Sequence, residues 1–228
     1  MNVIKLAVFA VCSLLSLSAG AVRGSEPGSE AEIPVCFNYG CRDQLDVRFA
    51  TAELDGLLAQ LRDSSSSTEE RQALAEVVGQ LYRLAARQTP IGADRGGNLR
   101  DEEVDGRMDC IDHATTTTRL LELLAARGGL RFHRVLEPAR RTRFIFQHFS
   151  AVIEVLAAES EAAPVLADVL LPPTQQVADG LFVHAVADPV LAQQAGRYVI
   201  DSWFVDNGEA AVVLPLAEWL EGGGPDVQ

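Results

Sequence analysis

"GRMDCIDHATTTTRLLELLAARGG", residues 106–129, sets one cysteine at the start of what reads as a helix. Asp109 stands where an N-cap belongs and Asp112 lies three residues on, the spacing that satisfies the free amides of a first turn. Cys110 therefore falls in that turn. Ile111, Ala114, Thr118, Leu121 and Ala125 recur at three- and four-residue steps and predict the packed face, and Gly128-Gly129 stops the helix. The unpaired amides and positive dipole end of a helix start favour a thiolate. Asp109 and Asp112 oppose it, because nearby negative charge disfavours a second anion. A cationic partner, most often a histidine, would decide the balance; a buried, inert thiol is the alternative reading.

Only four histidines are available. His113 follows Cys110 on the same helix, but no third and fourth ligand stands at a metal-site spacing. His133, in "LRFHRVLE", reads as a core or edge residue of a strand. His148 interrupts the apolar strand "FIFQHFSAVIEV" (144–155). In "GRYVIDSWFVDNG" (196–208), strand-like by its aromatic and β-branched content, Asp201 is a lone carboxylate in an apolar centre, a costly placement unless paired. Asp206-Asn207-Gly208 then turns the chain into "EAAVVLPL", and "AEWL" reads as a short terminal helix.

Upstream, residues 51–61 read as a short helix and "SSSS" (64–67) as a polar loop. Ser67 with Glu70 predicts a capping box for a second helix, whose Leu74, Val77, Val78, Leu81 and Ala85 follow helical spacing. Residues 89–106 read as a loop from their Gly, Pro, Asp and Asn content.

The first residues belong to a different problem. "MNVIK" precedes the apolar run "LAVFAVCSLLSLSAGA", and Ala19-Gly20-Ala21 supplies small residues suited to cleavage, so residues 1–21 read as a signal peptide. Phe9 and Val11 give Cys12 no lipobox. The run falls short of the ~20 residues that span a bilayer, so no stable membrane insertion is expected after cleavage. The expected location is periplasmic or secreted. With 32 acidic against 19 basic residues the chain carries −13, and cleavage removes Lys5 but no acid. Such a chain repels polyanions, which argues against nucleic acid and anionic membrane surfaces as partners. Cys36, Cys41 and Cys110 remain after cleavage. In an oxidising compartment "CFNYGC" can close a short Cys36–Cys41 loop, which leaves Cys110 free.

The helix-borne "MDCIDHATTTTRLLELL" and the strands "FQHFSAVIEV" and "YVIDSWFVDNG" resemble the transglutaminase-like superfamily of cysteine enzymes over roughly residues 90–220. The Asp-Cys-x-Asp motif is most similar to that of the bacterial transglutaminase-like cysteine proteinases. "PVCFNYGC" and "VIDSWFVDNG" also resemble the two ends of a set of exported bacterial proteins. The resemblance implies Cys110 as nucleophile, His148 as base and Asp201 as the residue orienting the imidazole. The implied activity is cleavage or transamidation of peptide or protein amide bonds. A catalytically silent binding or assembly module in the bacterial envelope is the second reading. Gln147 and Asn98 are side-chain candidates for stabilising an oxyanion, beside the amide of Cys110. Relatives that bind calcium place several acids beside the nucleophile. Asp109 and Asp112 match those in type but Ile111 supplies no ligand, so the expectation is no metal or cofactor, with calcium at Asp109 and Asp112 as the minor alternative.

The expected organisation is a signal peptide (1–21), an N-terminal extension with the Cys36–Cys41 loop (22–50) and a transglutaminase-like domain (51–222). The expected fold class is α+β, papain-like in its broad plan. Helices pack on an antiparallel sheet built from strands near 130–137, 144–155, 198–205 and 210–214, with substrate between the Cys110 helix and the sheet. Residues 157–196 separate the His strand from the Asp strand, where the superfamily more often has a short connection.

Overall fold

The computed structural model describes residues 30–97, 101, 103–156 and 194–225. The leader, Asn98 and residues 157–193 of the long connection lie outside them. Strands β1 (Ala31–Phe37) and β2 (Asp43–Phe49) form an antiparallel hairpin. Helices α1 (Thr51–Arg62) and α2 (Ser67–Ala86) follow, then a 3-10 turn (Pro90–Ala93) and α3 (Cys110–Ala126). Strands β3 (His133–Arg143), β4 (Phe146–Val155), β5 (Arg197–Asp201) and β6 (Val212–Pro215) make a second antiparallel sheet in that order, and α4 (Leu216–Leu220) closes the described chain. Among the described residues, two antiparallel sheets and four α-helices are compatible with the α+β class read from the sequence.

Alternation along β4 gives the sheet two buried faces. Ala151 and Ile153, with Ile200 of β5, join the main core beside Leu54, Leu61, Leu74, Leu81, Leu120 and Leu124 of the helices. Val152 and Val199 face the other way, into a smaller cluster with Leu216 and Trp219 of α4. Val35, Phe37, Val47 and Phe49 of the first hairpin belong to the main core as well, so this hairpin shares its interior with α3. No helix among the described residues is long and apolar enough to cross a membrane.

Three local expectations shift. Ser66, not Ser67, caps α2, accepting from the amide of Glu69 at 3.2 Å, while the Glu69 carboxylate turns back to Ser65. Glu70 is thereby released from capping and is wholly buried. It accepts from the amides of Arg131 (2.6 Å) and Phe132 (3.1 Å) and pairs with His133 Nδ1 at 2.8 Å. Removing one partner of such a pair strands the other group away from water. Glu70→Ala is therefore expected to cost about 3 kcal/mol or more in urea unfolding; a loss below about 1 kcal/mol would show that the pair adds little to the folded state.

The second shift concerns α3. Its buried side chains are Asp112, His113, Ala114, Thr116, Thr117, Leu120, Leu121, Leu123 and Leu124, whereas Ile111 and Ala125 are exposed. The first two turns bury polar groups because other elements supply their hydrogen-bond partners, an arrangement that apolar periodicity does not record. Thirdly, β3 runs on to Arg143, past an extra residue between Leu136 and Ala139, and β5 stops at Asp201, where the chain turns toward the site.

Candidate active site

Asp109 caps α3 as expected. Its carboxylate accepts from the amides of Ile111 (3.0 Å) and Asp112 (2.9 Å), and Asp112 reciprocates by accepting from the amide of Asp109 at 3.1 Å. Cys110 is thus the first residue of the helix. It is half-buried, and its thiol donates to the carbonyl of Gln147 on β4 at 3.8 Å.

The two acids have a second task. Cys36 and Cys41 are joined, with Cα atoms 4.6 Å apart, and Cys110 is the free cysteine. In the closing half of this loop Asn38, Tyr39, Gly40 and Cys41 itself all have positive φ, at 64°, 69°, 66° and 58°. Consecutive left-handed residues turn their N–H groups to one side and make a cradle for an anion. The anion comes from this chain: Tyr39 and Cys41 donate to Asp112 at 2.8 and 2.5 Å, and Gly40 donates to Asp109 at 2.9 Å. Burial first, then the charge of Asp109, pushes the Asp112 carboxyl above the usual carboxylate range, while these amides pull it down. Cys36, Cys41 and Asp112 hold potential metal-ligand atoms within 4.8 Å of one another, but the disulfide withholds both sulfurs.

Left-handed geometry costs a non-glycine residue about 1–2 kcal/mol, so the loop needs both the cross-link and the carboxylates. A bridge closing so few residues contributes about 2 kcal/mol in the chain-entropy picture. Reduction is expected to lower stability by about that amount, read as a urea midpoint shift of the protein alkylated at Cys110. An unchanged midpoint would mean that Asp109 and Asp112 hold the loop unaided. Peptide mapping of unreduced protein should return an intact 36–41 bridge and a labelled Cys110; a bridge to Cys110 would remove the candidate nucleophile.

On the other face of β4, His148 Nε2 lies 2.7 Å from Oδ2 of Asp201, which is 1% exposed. The indole N–H of Trp219 donates to the same oxygen at 2.9 Å, and the amide of Trp203 donates to Oδ1 at 3.3 Å. The imidazole is packed by Trp203, Phe204 and Trp219, with centroids 4.8, 5.4 and 5.5 Å away. The Arg141 guanidinium sits 4.7 Å over the Trp219 ring and donates to the carbonyls of Trp219 and Gly223. A proton on Nε2, donated to Asp201, leaves Nδ1 as the acceptor of the ring.

Cys110 and His148 share no direct hydrogen bond. The thiol instead meets both chain neighbours of His148, the Gln147 carbonyl and the Phe149 amide. Burial, followed by the charges of Asp109 and Asp201, pushes the thiol up to about 11, while hydrogen bonds from the amides of Phe149 and Cys110 itself pull it down. Gln147 contributes its carbonyl here, its side chain being exposed, and Asn98 lies outside the described residues.

Beneath the site runs a polar chain that sequence reading missed. His113 Nε2 lies 2.9 Å from Asp94 and its Nδ1 2.9 Å from Ser202 Oγ, which meets Thr117 Oγ1 at 2.9 Å; Thr117 in turn meets the Tyr82 hydroxyl at 3.0 Å. Asp94 also accepts from the amide of Met108 at 2.7 Å. Asp201 and Ser202 are adjacent and point to opposite sides, one to His148 and one to α3, so the same backbone step anchors both halves of the site. Gly96 has no room for a side chain, since a Cβ there would lie 2.4 Å from the Val205 carbonyl carbon. In the sequence Asp94 looks like an ordinary loop acid, and Trp219 like the apolar residue of a short helix. His113, by contrast, carried the visible anomaly of a histidine on a helix face.

No protein-family model, curated protein or solved structure matches this chain. Function is therefore read from the chemistry of the site.

Proposed function

We propose that this protein is an exported cysteine amidase or peptidase, or a transamidase, of the transglutaminase-like kind, acting on peptide or protein amide bonds through Cys110, His148 and Asp201. The observation that carries the reading is the buried His148–Asp201 pair beside a free thiol on the first turn of a helix. The disulfide is compatible with an oxidising compartment such as the periplasm.

In the proposed reaction the Cys110 proton passes to His148, and the sulfur attacks the amide carbonyl to form a C–S bond. His148 returns the proton to the leaving nitrogen as the C–N bond breaks, giving a thioester and a free amine. Water then releases an acid, or a second amine forms a new amide. Asp201 holds the imidazole in register and offsets its positive charge. The amide of Cys110, at the helix start, is the candidate donor to the oxyanion.

Two observations favour the second reading, a silent binding or assembly module: the upward push on the thiol and the lack of a direct Cys110–His148 hydrogen bond. Catalytic hydrogen bonds are often long before substrate binds, so the two readings are separated by chemistry rather than by this distance. A peptide vinyl sulfone should label Cys110 in the folded protein and not after denaturation. No labelling of the folded protein between pH 5 and 9 would leave the binding module.

A further inference from the structure

We propose that the tip of the β3–β4 hairpin docks this protein, peripherally and reversibly, on the surface of an anionic lipid bilayer. Phe144, Ile145 and Phe146 are 96%, 85% and 71% exposed, whereas no other large apolar side chain among the described residues exceeds 45%. They form and follow a two-residue turn, Arg143 pairing with Phe146 across it. Phe144 takes φ 55° there, a position that Gly or Asn fills without strain and a bulky aromatic does not. An aromatic held in water at a cost in backbone strain points to a use for its side chain.

The charge around the tip is the reverse of that of the chain. Arg140 and Arg143 are exposed, Arg141 lies between them, and no acidic residue occurs between Glu137 and Glu154. Among the described residues none of these three arginines forms an ion pair. Glu218 stands on the neighbouring short helix α4 and Glu221 caps its end, where Arg143 packs against Gly222 without an ion pair to either acid. The net charge of −13 argues against polyanions only as an average over the molecule.

Shape selects the occupant. Successive side chains of a hairpin end point to opposite sides, so a rigid protein pocket would cover one side and leave the other wet. A bilayer interface surrounds the whole tip, taking the apolar residues below its headgroups and leaving the exposed Arg140 and Arg143 among the phosphates. Each large apolar side chain transferred strengthens binding about tenfold or more, and each arginine near an anionic surface about fivefold. His148 follows Phe146 by two residues, about 7 Å along the strand, so docking would bring His148 and the adjoining Cys110 close to the membrane surface. The binding itself does not depend on catalysis.

Co-sedimentation of the mature chain with vesicles tests this. Binding to phosphatidylglycerol/phosphatidylcholine vesicles should be at least about tenfold tighter than to phosphatidylcholine alone and should weaken as salt is raised. Phe144→Asn places a residue suited to the turn, so thermal unfolding should show an unchanged or higher midpoint while vesicle binding falls about tenfold or more. Arg140→Gln with Arg143→Gln should remove the preference for anionic vesicles. The proposal is overturned if wild-type protein does not sediment with anionic vesicles, or if Phe144→Asn binds them as wild type does. A concentration-dependent dimer that Phe144→Asn abolishes, without vesicle binding, would also overturn it and give the tip to a second copy.

Discussion

Alkylation of Cys110 by iodoacetamide is expected to be under way near pH 6 in the wild-type protein, and at pH 7 to be about three to four orders of magnitude slower in His148→Gln. Burial, followed by the charges of Asp109 and Asp201, pushes the thiol up to about 11. A thiol raised in this way keeps its proton until the pH passes that value, so at pH 7 only about one molecule in ten thousand carries the thiolate, and the rate climbs about tenfold per pH unit. In the catalytic reading His148 takes the proton, with Asp201 2.7 Å from Nε2 as counter-charge, and the ion pair supplies thiolate at much lower pH. Gln retains an amide N–H that can donate to Asp201 but cannot accept a proton, so it separates the base from the packing of its ring site. A wild-type profile that rises only toward pH 11, indistinguishable from His148→Gln, would end the catalytic reading.

Asp201→Asn is expected to lower kcat on any amide substrate found by about four orders of magnitude, with KM little changed and the fold intact. His148 and Trp219 share Oδ2, so an NH2 group in that position gives up the Trp219 bond, and α4 is kept on the sheet by its apolar packing with Val152 and Val199. The Asn amide oxygen, in the other position, still accepts from the amide of Trp203. The NH2 group, turned to His148, would instead donate to Nε2 and force the ring proton onto Nδ1, the nitrogen that must accept from the thiol. The counter-charge for the imidazolium goes at the same time. Activity near wild type in this variant would make Asp201 a strand residue with a well-placed partner and nothing more.

How far the chain announces this arrangement differs from residue to residue. The start of α3 was legible because a cap and its answering acid are three positions apart, within reach of the backbone rules that every helix obeys. The Cys36–Cys41 loop was legible for the same reason, its ends being five residues apart. His148 and Asp201 are 53 positions apart; Asp201 was conspicuous alone, a carboxylate in the middle of an apolar strand that must find a partner, and His148 gained its weight from that acid. The expected capping box at Ser67 failed because four serines in a row offer several frames to one helix start, and the burial of Glu70 against His133 chose among them.

By itself, then, the sequence determined what is settled within a few residues: the helices and the strands of the second sheet, though not the hairpin of residues 31–49, where the thiol sits on its helix, which cysteines can close, and which polar groups need company. Only the tertiary structure decided the partners. Asp109 and Asp112 look like helix-start acids that oppose a thiolate, and become the anion in a cradle of left-handed amides about 70 positions earlier in the chain. The buried face of α3 is turned from the apolar stripe because Asp94, Ser202 and Tyr82 reach it from three other segments. Trp219 completes Asp201 from the far side of the sheet. A polar side chain has the same local propensity whether or not a distant donor will be waiting for it, so the choice between exposure and burial is made by the packing of the whole chain.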